Sequence, residues 1–119
     1  MAWLYATGNN EKGQTLFKLA TGAAKVTRAF NGKSKLRRKN HVPWQEIDDE
    51  GMLLKLETGD YFSIAHVGLF IWKHLDGSRD LEAVSNLVIS YYDVRPDQAG
   101  KDLHEFVRQL LQLDFLEFS

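Results

Sequence analysis

Apolar and polar positions change period once between residues 42 and 119, and the change divides that stretch into a sheet half and a helix half. Trp44-Gln45-Glu46-Ile47 alternates apolar with polar, as a half-buried strand does. Asp48-Asp49-Glu50-Gly51 reads as a turn. Met52 to Leu56 is apolar and extended. Glu57-Thr58-Gly59-Asp60 is turn chemistry, with Gly59 free to take positive φ. Tyr61-Phe62-Ser63-Ile64 follows, aromatic and β-branched, suited to a pleated surface. The expectation is an antiparallel meander over about 44–47, 51–57 and 60–64.

After Ile64 the period lengthens. Val67, Ile71 and Leu75 recur every four residues, with Phe70 and Trp72 beside them, which predicts a short helix with one buried face. Asp76-Gly77 ends it. Asp80 is placed to cap a second helix from Leu81 to Tyr92, its stripe formed by Leu81, Val84, Leu87, Val88 and Tyr91. Pro96 suits the first position of a third helix, Asp97 its first turn, and the helix runs to about Leu113. Leu103, Phe106, Val107, Leu110 and Leu111 make its stripe. Asp114 to Phe118 leaves as an apolar tail, a short strand or a packed cap. The predicted fold is α+β and winged-helix-like: a three-stranded antiparallel sheet followed by three helices, β-β-β-α-α-α.

Charge adds a division that periodicity does not show. The chain of 119 residues has a net charge of −1. Residues 1–41 carry nine Lys/Arg against one acid, Glu11, and residues 42–119 carry six against fifteen, so +8 faces −9. Glycines at 8, 13, 22 and 32 interrupt the basic segment. Leu16 to Leu19 and Val26 to Phe30 are its only short apolar pieces besides Trp3-Leu4-Tyr5, which looks able to dock. Residues 1–41 therefore read as a basic, flexible arm, and residues 42–119 as the folded domain. No internal repeat or low-complexity segment appears in the domain.

Composition excludes several classes. There is no cysteine, hence no disulfide, thiolate metal site or cysteine nucleophile, which fits a reducing compartment. The start lacks a basic n-region and a long apolar core, and no run approaches a spanning helix, so the expected location is cytoplasmic, away from the membrane. No nucleotide-binding or metalloprotease motif is present, and no cofactor or metal is expected. His41, His66, His74 and His104 lack ligand spacing, and His66 and His74 are read as lying on different faces. Asp48-Asp49-Glu50 is turn chemistry. Glu105 reads as a solvated position, whereas Asp102, just before the third helix's stripe, is open to partner contact. Nothing marks the chain as an enzyme.

The run Leu54-Lys55-Leu56-Glu57-Thr58-Gly59-Asp60-Tyr61-Phe62-Ser63-Ile64, followed by Ile71-Trp72-Lys73-His74-Leu75-Asp76-Gly77, resembles the PqqD-like family. These are the RiPP recognition elements, or peptide chaperones, of ribosomal peptide modification. Leu81-Glu82-Ala83-Val84, Tyr91-Tyr92-Asp93-Val94, Pro96-Asp97-Gln98-Ala99 and Asp102-Leu103 with Phe106, Leu110 and Phe115-Leu116 continue the pattern, over about residues 42–118. Ile64-Ala65 departs from the family's Leu-Asn, leaving His66 as the substitute cap. Arg95 replaces an Asp cap, and Asp114 replaces Gly.

The resemblance implies a non-catalytic adaptor. It would capture the leader of a precursor peptide and present it to a modifying enzyme, such as a radical SAM enzyme or a protease. Strand addition to the third strand is the implied mode, in the groove facing the third helix. The implied peptide contacts are Asp60, Tyr61, Phe62, Ser63 and Ile64 on the strand, and Asp102, Leu103, Phe106 and Gln109 on the helix. Leu103 and Phe106 are equally good core residues. Alternation puts Tyr61 and Ser63 on one face and Phe62 and Ile64 on the other, without saying which faces the groove.

The alternative is a winged-helix DNA-binding or regulatory protein using the basic arm. The domain's −9 charge argues against duplex binding. The opposite charge of arm and domain predicts instead that the arm can fold back into the groove as a tethered mimic of the ligand. An exposed strand edge also leaves a homodimer by strand exchange open.

Overall fold

The computed structural model describes residues 4–7 and 29–119. Its strands are β1 (Leu4–Thr7), β2 (Lys35–Arg38), β3 (Trp44–Ile47), β4 (Glu50–Lys55), β5 (Asp60–Ile64), β6 (Asp76–Asp80) and β7 (Leu116–Phe118). Its helices are α1 (His66–His74), α2 (Leu81–Tyr91) and α3 (Pro96–Gln112). The protein has the expected α+β arrangement, an antiparallel β3-β4-β5 meander with three helices. Two additions surround that plan. β1 joins the meander to give the order β1-β5-β4-β3, and a second sheet has the order β6-β2-β7.

The meander's turns follow their residues. Asp48 and Asp49 both take positive φ, 50° and 67°, between β3 and β4. That is the left-handed pair a two-residue hairpin needs, and Asp tolerates it better than most residues. Gly59, with φ 77°, closes the β4–β5 connection, its amide donating to the Lys55 carbonyl at 2.8 Å.

Helix ends are set by different devices. Asp80 caps α2, accepting from the Ala83 amide at 2.9 Å. Pro96 opens α3. At the far end of α3 the Phe115 amide donates to the Leu110 carbonyl and the Asp114 amide to the Leu111 carbonyl, both at 3.0 Å. This double closure requires a left-handed residue, and Asp114 supplies it at φ 66°. The expected substitute cap fails: Ala65 precedes α1 without a side-chain cap, and the His66 ring lies 5.7 Å from that of Tyr92. His66 and His74 do not face apart either. Both flank one aromatic cluster, His74 at 4.5 Å from Phe70 and Phe70 at 5.3 Å from Tyr92. Eight residues turn a helix by only about 80° beyond two full turns, so the spacing keeps them on neighbouring faces.

One core joins the elements. Phe62 and Ile64 of β5, Leu53 of β4, Ile71 and Trp72 of α1, Val84 and Val88 of α2, and the whole α3 stripe are buried in it. Tyr91 departs from its expected stripe; it is 70% exposed and packs on Phe70 at 5.1 Å.

The domain boundary drawn at residue 42 is corrected. Leu36 is completely buried, and β2 is the central strand of its sheet. Phe30 stacks on His104 at 4.4 Å. The folded body therefore includes residues 30–41. Its cations are used locally, which is why a charge run misled as an arm. Arg37 pairs with Glu117 at 2.6 Å and Lys39 with Asp114 at 2.5 Å. Arg38 donates to the Trp72 and Lys73 carbonyls at the end of α1, at 2.7 and 3.0 Å. The loose-arm expectation for residues 8–28, with its Leu16–Leu19 piece, lies outside the described residues. Likewise β6 was invisible to periodicity, because Asp-Gly-Ser-Arg-Asp has no apolar alternation and is extended only by pairing with β2.

Candidate functional site

The expected site consists of β5 and the flank of α3. On β5 the alternation resolves plainly. Phe62 and Ile64 are buried beneath the sheet, while Tyr61 is 45% exposed and Ser63 half-buried on the outer face. The Ser63 hydroxyl donates to Met52 Sδ at 3.3 Å across the ladder. Asp60 is half-buried at the start of the strand. β5 thus presents a wall of Phe62 and Ile64 to the helices, and an amphipathic outer surface.

On α3, turning 100° per residue places Asp102, Phe106, Gln109 and Leu113 along one stripe. Phe106 is buried and Gln109 is only 9% exposed, the sole buried polar residue among those described. Asp102, half-buried, accepts from Gln98 Nε2 at 2.8 Å. Leu103 belongs to a different flank. It is buried and lines a cavity of about 220 Å³ against α2, with Asn31, Gly32, Glu82, Ser85 and His104. Asp102, Phe106 and Gln109 thus share one line of α3, and Leu103 lies about 100° around the helix from Asp102.

Two residues that sequence reasoning missed tie strand and helix together. Lys55, at the end of β4, donates to the Leu113 carbonyl at 2.9 Å and lies 5.9 Å from the Phe115 ring centre. Phe115 in turn meets Phe62 edge-on at 5.8 Å. The three-then-four spacing onward from Phe106 would have found Leu113. Nothing local marks Lys55, whose partner is 58 residues away.

The edge of β5 is not open. β1 runs antiparallel to it in the register Leu4↔Ile64, Tyr5↔Ser63, Ala6↔Phe62 and Thr7↔Tyr61. The edge expected to be bare is paired along most of its length by four residues of the same chain. The folding-back expected of the N-terminal segment is thus observed at β1, and the docking piece is the one containing Leu4 and Tyr5.

Electrostatics add little at this site. At the start of α3 the Arg95 guanidinium holds the Asp97 carboxyl below the usual aspartate range, donating to it at 3.0 Å. Among the described residues no group of three or more His, Cys, Asp or Glu could hold a metal ion. No helix among them is long and apolar enough to cross a membrane.

A three-stranded meander, extended by β1 on the β5 side, and three helices define a winged-helix-like α+β class. Residues 50–116 match the family described as Coenzyme PQQ synthesis protein D (PqqD). That span is more than half of the 119 residues, and the chain belongs to the PqqD family. No curated protein matches it. Among solved structures it is similar to TbiB1 in complex with the TbiA(beta) leader peptide. The identity is 33% and the TM-score 0.62, covering 68% of this chain and 94% of that one.

Proposed function

We propose that this protein is a non-catalytic peptide-binding adaptor. It captures the leader segment of a ribosomally made precursor by antiparallel strand addition along β5, in the groove faced by α3, and presents it to a modifying enzyme. The observation that carries this reading is the pairing of β1 on β5: this edge accepts an extended segment in register over Tyr61 to Ile64. Main-chain hydrogen bonds would supply affinity, and the positions opposite Phe62 and Ile64 would supply selectivity, because they share those residues' face of the sheet. Asp102, Phe106 and Gln109 are the helix residues proposed to line the peptide. Similarity to TbiB1, solved with a leader peptide, supports the same reading. The reading assigns no chemistry to the chain itself.

The test is a backbone-amide NMR titration with leader peptides encoded beside this chain. Shifts concentrated at Asp60–Ile64 and along Asp102–Leu110 are expected; shifts elsewhere only would overturn the groove. The DNA-binding alternative loses ground on one observation. Arg37, Arg38 and Lys39, the heart of the basic run, are engaged by Glu117, helix carbonyls and Asp114. Steep salt-dependent retention of the full chain on duplex DNA would restore it.

A further inference from the structure

We propose that β1 is a built-in cap on the ligand edge, so that a leader binds by displacing Leu4–Thr7 rather than by adding to a bare strand. The inference rests on the reading of β5 as the leader-accepting edge. It goes further by making the free protein self-occupied and naming the occupant.

The argument begins with the ladder. β5 lies between β4 and β1, paired with each antiparallel. Successive residues of a strand point their amides to opposite sides, so β5 divides its hydrogen bonds between the two neighbours. Any peptide adding beside Tyr61–Ile64 needs the groups that β1 already uses. Two strands cannot share that side, and occupancy is therefore exclusive.

The register also states what kind of competitor fits. Directly opposite positions of an antiparallel pair share a face, so a competitor's positions opposite Ile64 and Phe62 would lie on those residues' buried face, and its positions opposite Ser63 and Tyr61 on the outer one. The cap places a leucine opposite Ile64 and an alanine opposite Phe62. We read this as the pattern of the competitor: a large aliphatic residue, then a small one two positions later, in an extended segment running antiparallel to β5. Being part of the same chain, the cap competes at a fixed effective concentration, whatever the protein concentration. β1 is well suited to release, because among the described residues it is an edge strand bonded on one side only.

The experiment uses the full chain and one double variant, Tyr5→Pro with Ala6→Pro. Of two adjacent prolines in a strand, one necessarily removes an amide that faces the neighbour. Amide hydrogen exchange is measured without ligand. In the parent chain the β5 amides that point away from β4 should be protected. In the double variant they should exchange like those of a free edge, while the amides of β2 and α3 keep their protection and show the fold intact. A synthetic peptide of residues 1–12 of this chain, added in trans, should then bind the double variant at least about tenfold more tightly than the parent. That ratio corresponds to a cap closed about nine-tenths of the time.

Equal exchange at those amides in both chains, or equal affinity for the peptide, would overturn the cap. Protection in the parent that vanishes on dilution would assign the strand to a second copy and overturn it as well. Precursor peptides that leave Asp60–Ile64 of the double variant unshifted, while the exchange difference persists, would remove the leader reading and keep the cap.

Discussion

β1 and β2 are strands of four residues each, both drawn from the first 41 positions, and they are held in opposite ways. β2 is central, paired on one side with β6 and on the other with β7. It contributes the fully buried Leu36, and its Arg38 guanidinium lies 5.8 and 5.9 Å from the Trp44 and Trp72 rings. Among the described residues β1 is an edge, paired with β5 alone. A strand bonded on both sides with a buried side chain is scaffold. A strand bonded on one side, where a ligand strand is expected, is replaceable. The difference teaches that the described parts of the basic N-terminal region are two things: a part that completes the core and a part that lines the β5 edge proposed as the ligand site.

The largest effect that could break this comparison is at Leu36. Leu36→Ala deletes buried methyl groups beneath a central strand and should cost about 2–5 kcal/mol, read from the shift of a urea unfolding curve. For the same reason, deleting residues 1–40 to free the groove should unfold the domain instead. A Leu36→Ala chain as stable as the parent would return β2 to the status of an arm.

Gly51→Ala sharpens the other side, by asking how tightly β4 is set against the strand that receives the cap. A Cβ at Gly51 would fall 2.7 Å from Ile64 Cγ1 and 3.0 Å from Leu69 Cδ1. Relief requires the buried Ile64 and Leu69 side chains to shift, so a loss of about 1–3 kcal/mol is expected. Shifted β5 amides in the variant's NMR spectrum would locate the strain.

Within β2 itself, Arg38 and Arg37 should differ. Arg38→Ala removes a charged donor from two helix-end carbonyls, of which that of Trp72 keeps the Leu75 amide, and uncovers two tryptophans, a loss of about 1–3 kcal/mol in the same unfolding assay. Arg37→Ala removes an exposed pair with Glu117, which should cost under about 1 kcal/mol. Equal losses would mean that net charge, not these contacts, fastens β2.

What was legible in the sequence follows from range. The meander and the three helices are written in local periodicity, as are Gly59, the Asp80 cap and Pro96. Phe106 and Gln109 could be named because the family pattern carries them. β2, β6 and β7 were not legible as a sheet, since a strand with one aliphatic residue among cations is defined only by partners far along the chain, Leu36 beside Phe118 for example. Leu103 was legible as buried, but a helix stripe says which residues are buried, not against what. Lys55 was missed for the same reason as β2: its carbonyl partner belongs to the far end of α3.

The double variant Tyr5→Pro with Ala6→Pro tests replaceability directly. Losing an edge strand that is paired on one side should change global stability by less than about 1 kcal/mol, within the ordinary range for substitutions away from the core. A loss as large as that of Leu36→Ala would make β1 scaffold and erase the distinction between the two strands.

The smallest effect expected is a pH dependence confined to the second sheet. Asp76, opposite Arg37 in the ladder, accepts from the Ser78 hydroxyl at 2.6 Å and from the Ser78 amide at 2.9 Å. The hydroxyl bond first, then the amide bond, hold its carboxyl below the usual aspartate value, with the Arg79 charge assisting and partial desolvation opposing. A carboxylate whose folded value is depressed favours the fold above its unfolded value, about 3.9, and loses that contribution as pH falls through the folded value. The group is exposed, so the contribution is small, about a few tenths of a kcal/mol. Asp76→Asn should therefore be slightly less stable than the parent at neutral pH, with the two unfolding midpoints converging below about pH 4. Acid should also lower the amide protection factors in β6 and β2 of the parent toward the variant's, leaving those of the β1–β5 ladder unchanged. Convergence that begins near pH 6 would assign the acid sensitivity to another group. Equal loss of protection in both sheets would show that β1 and β2 share one fastening after all.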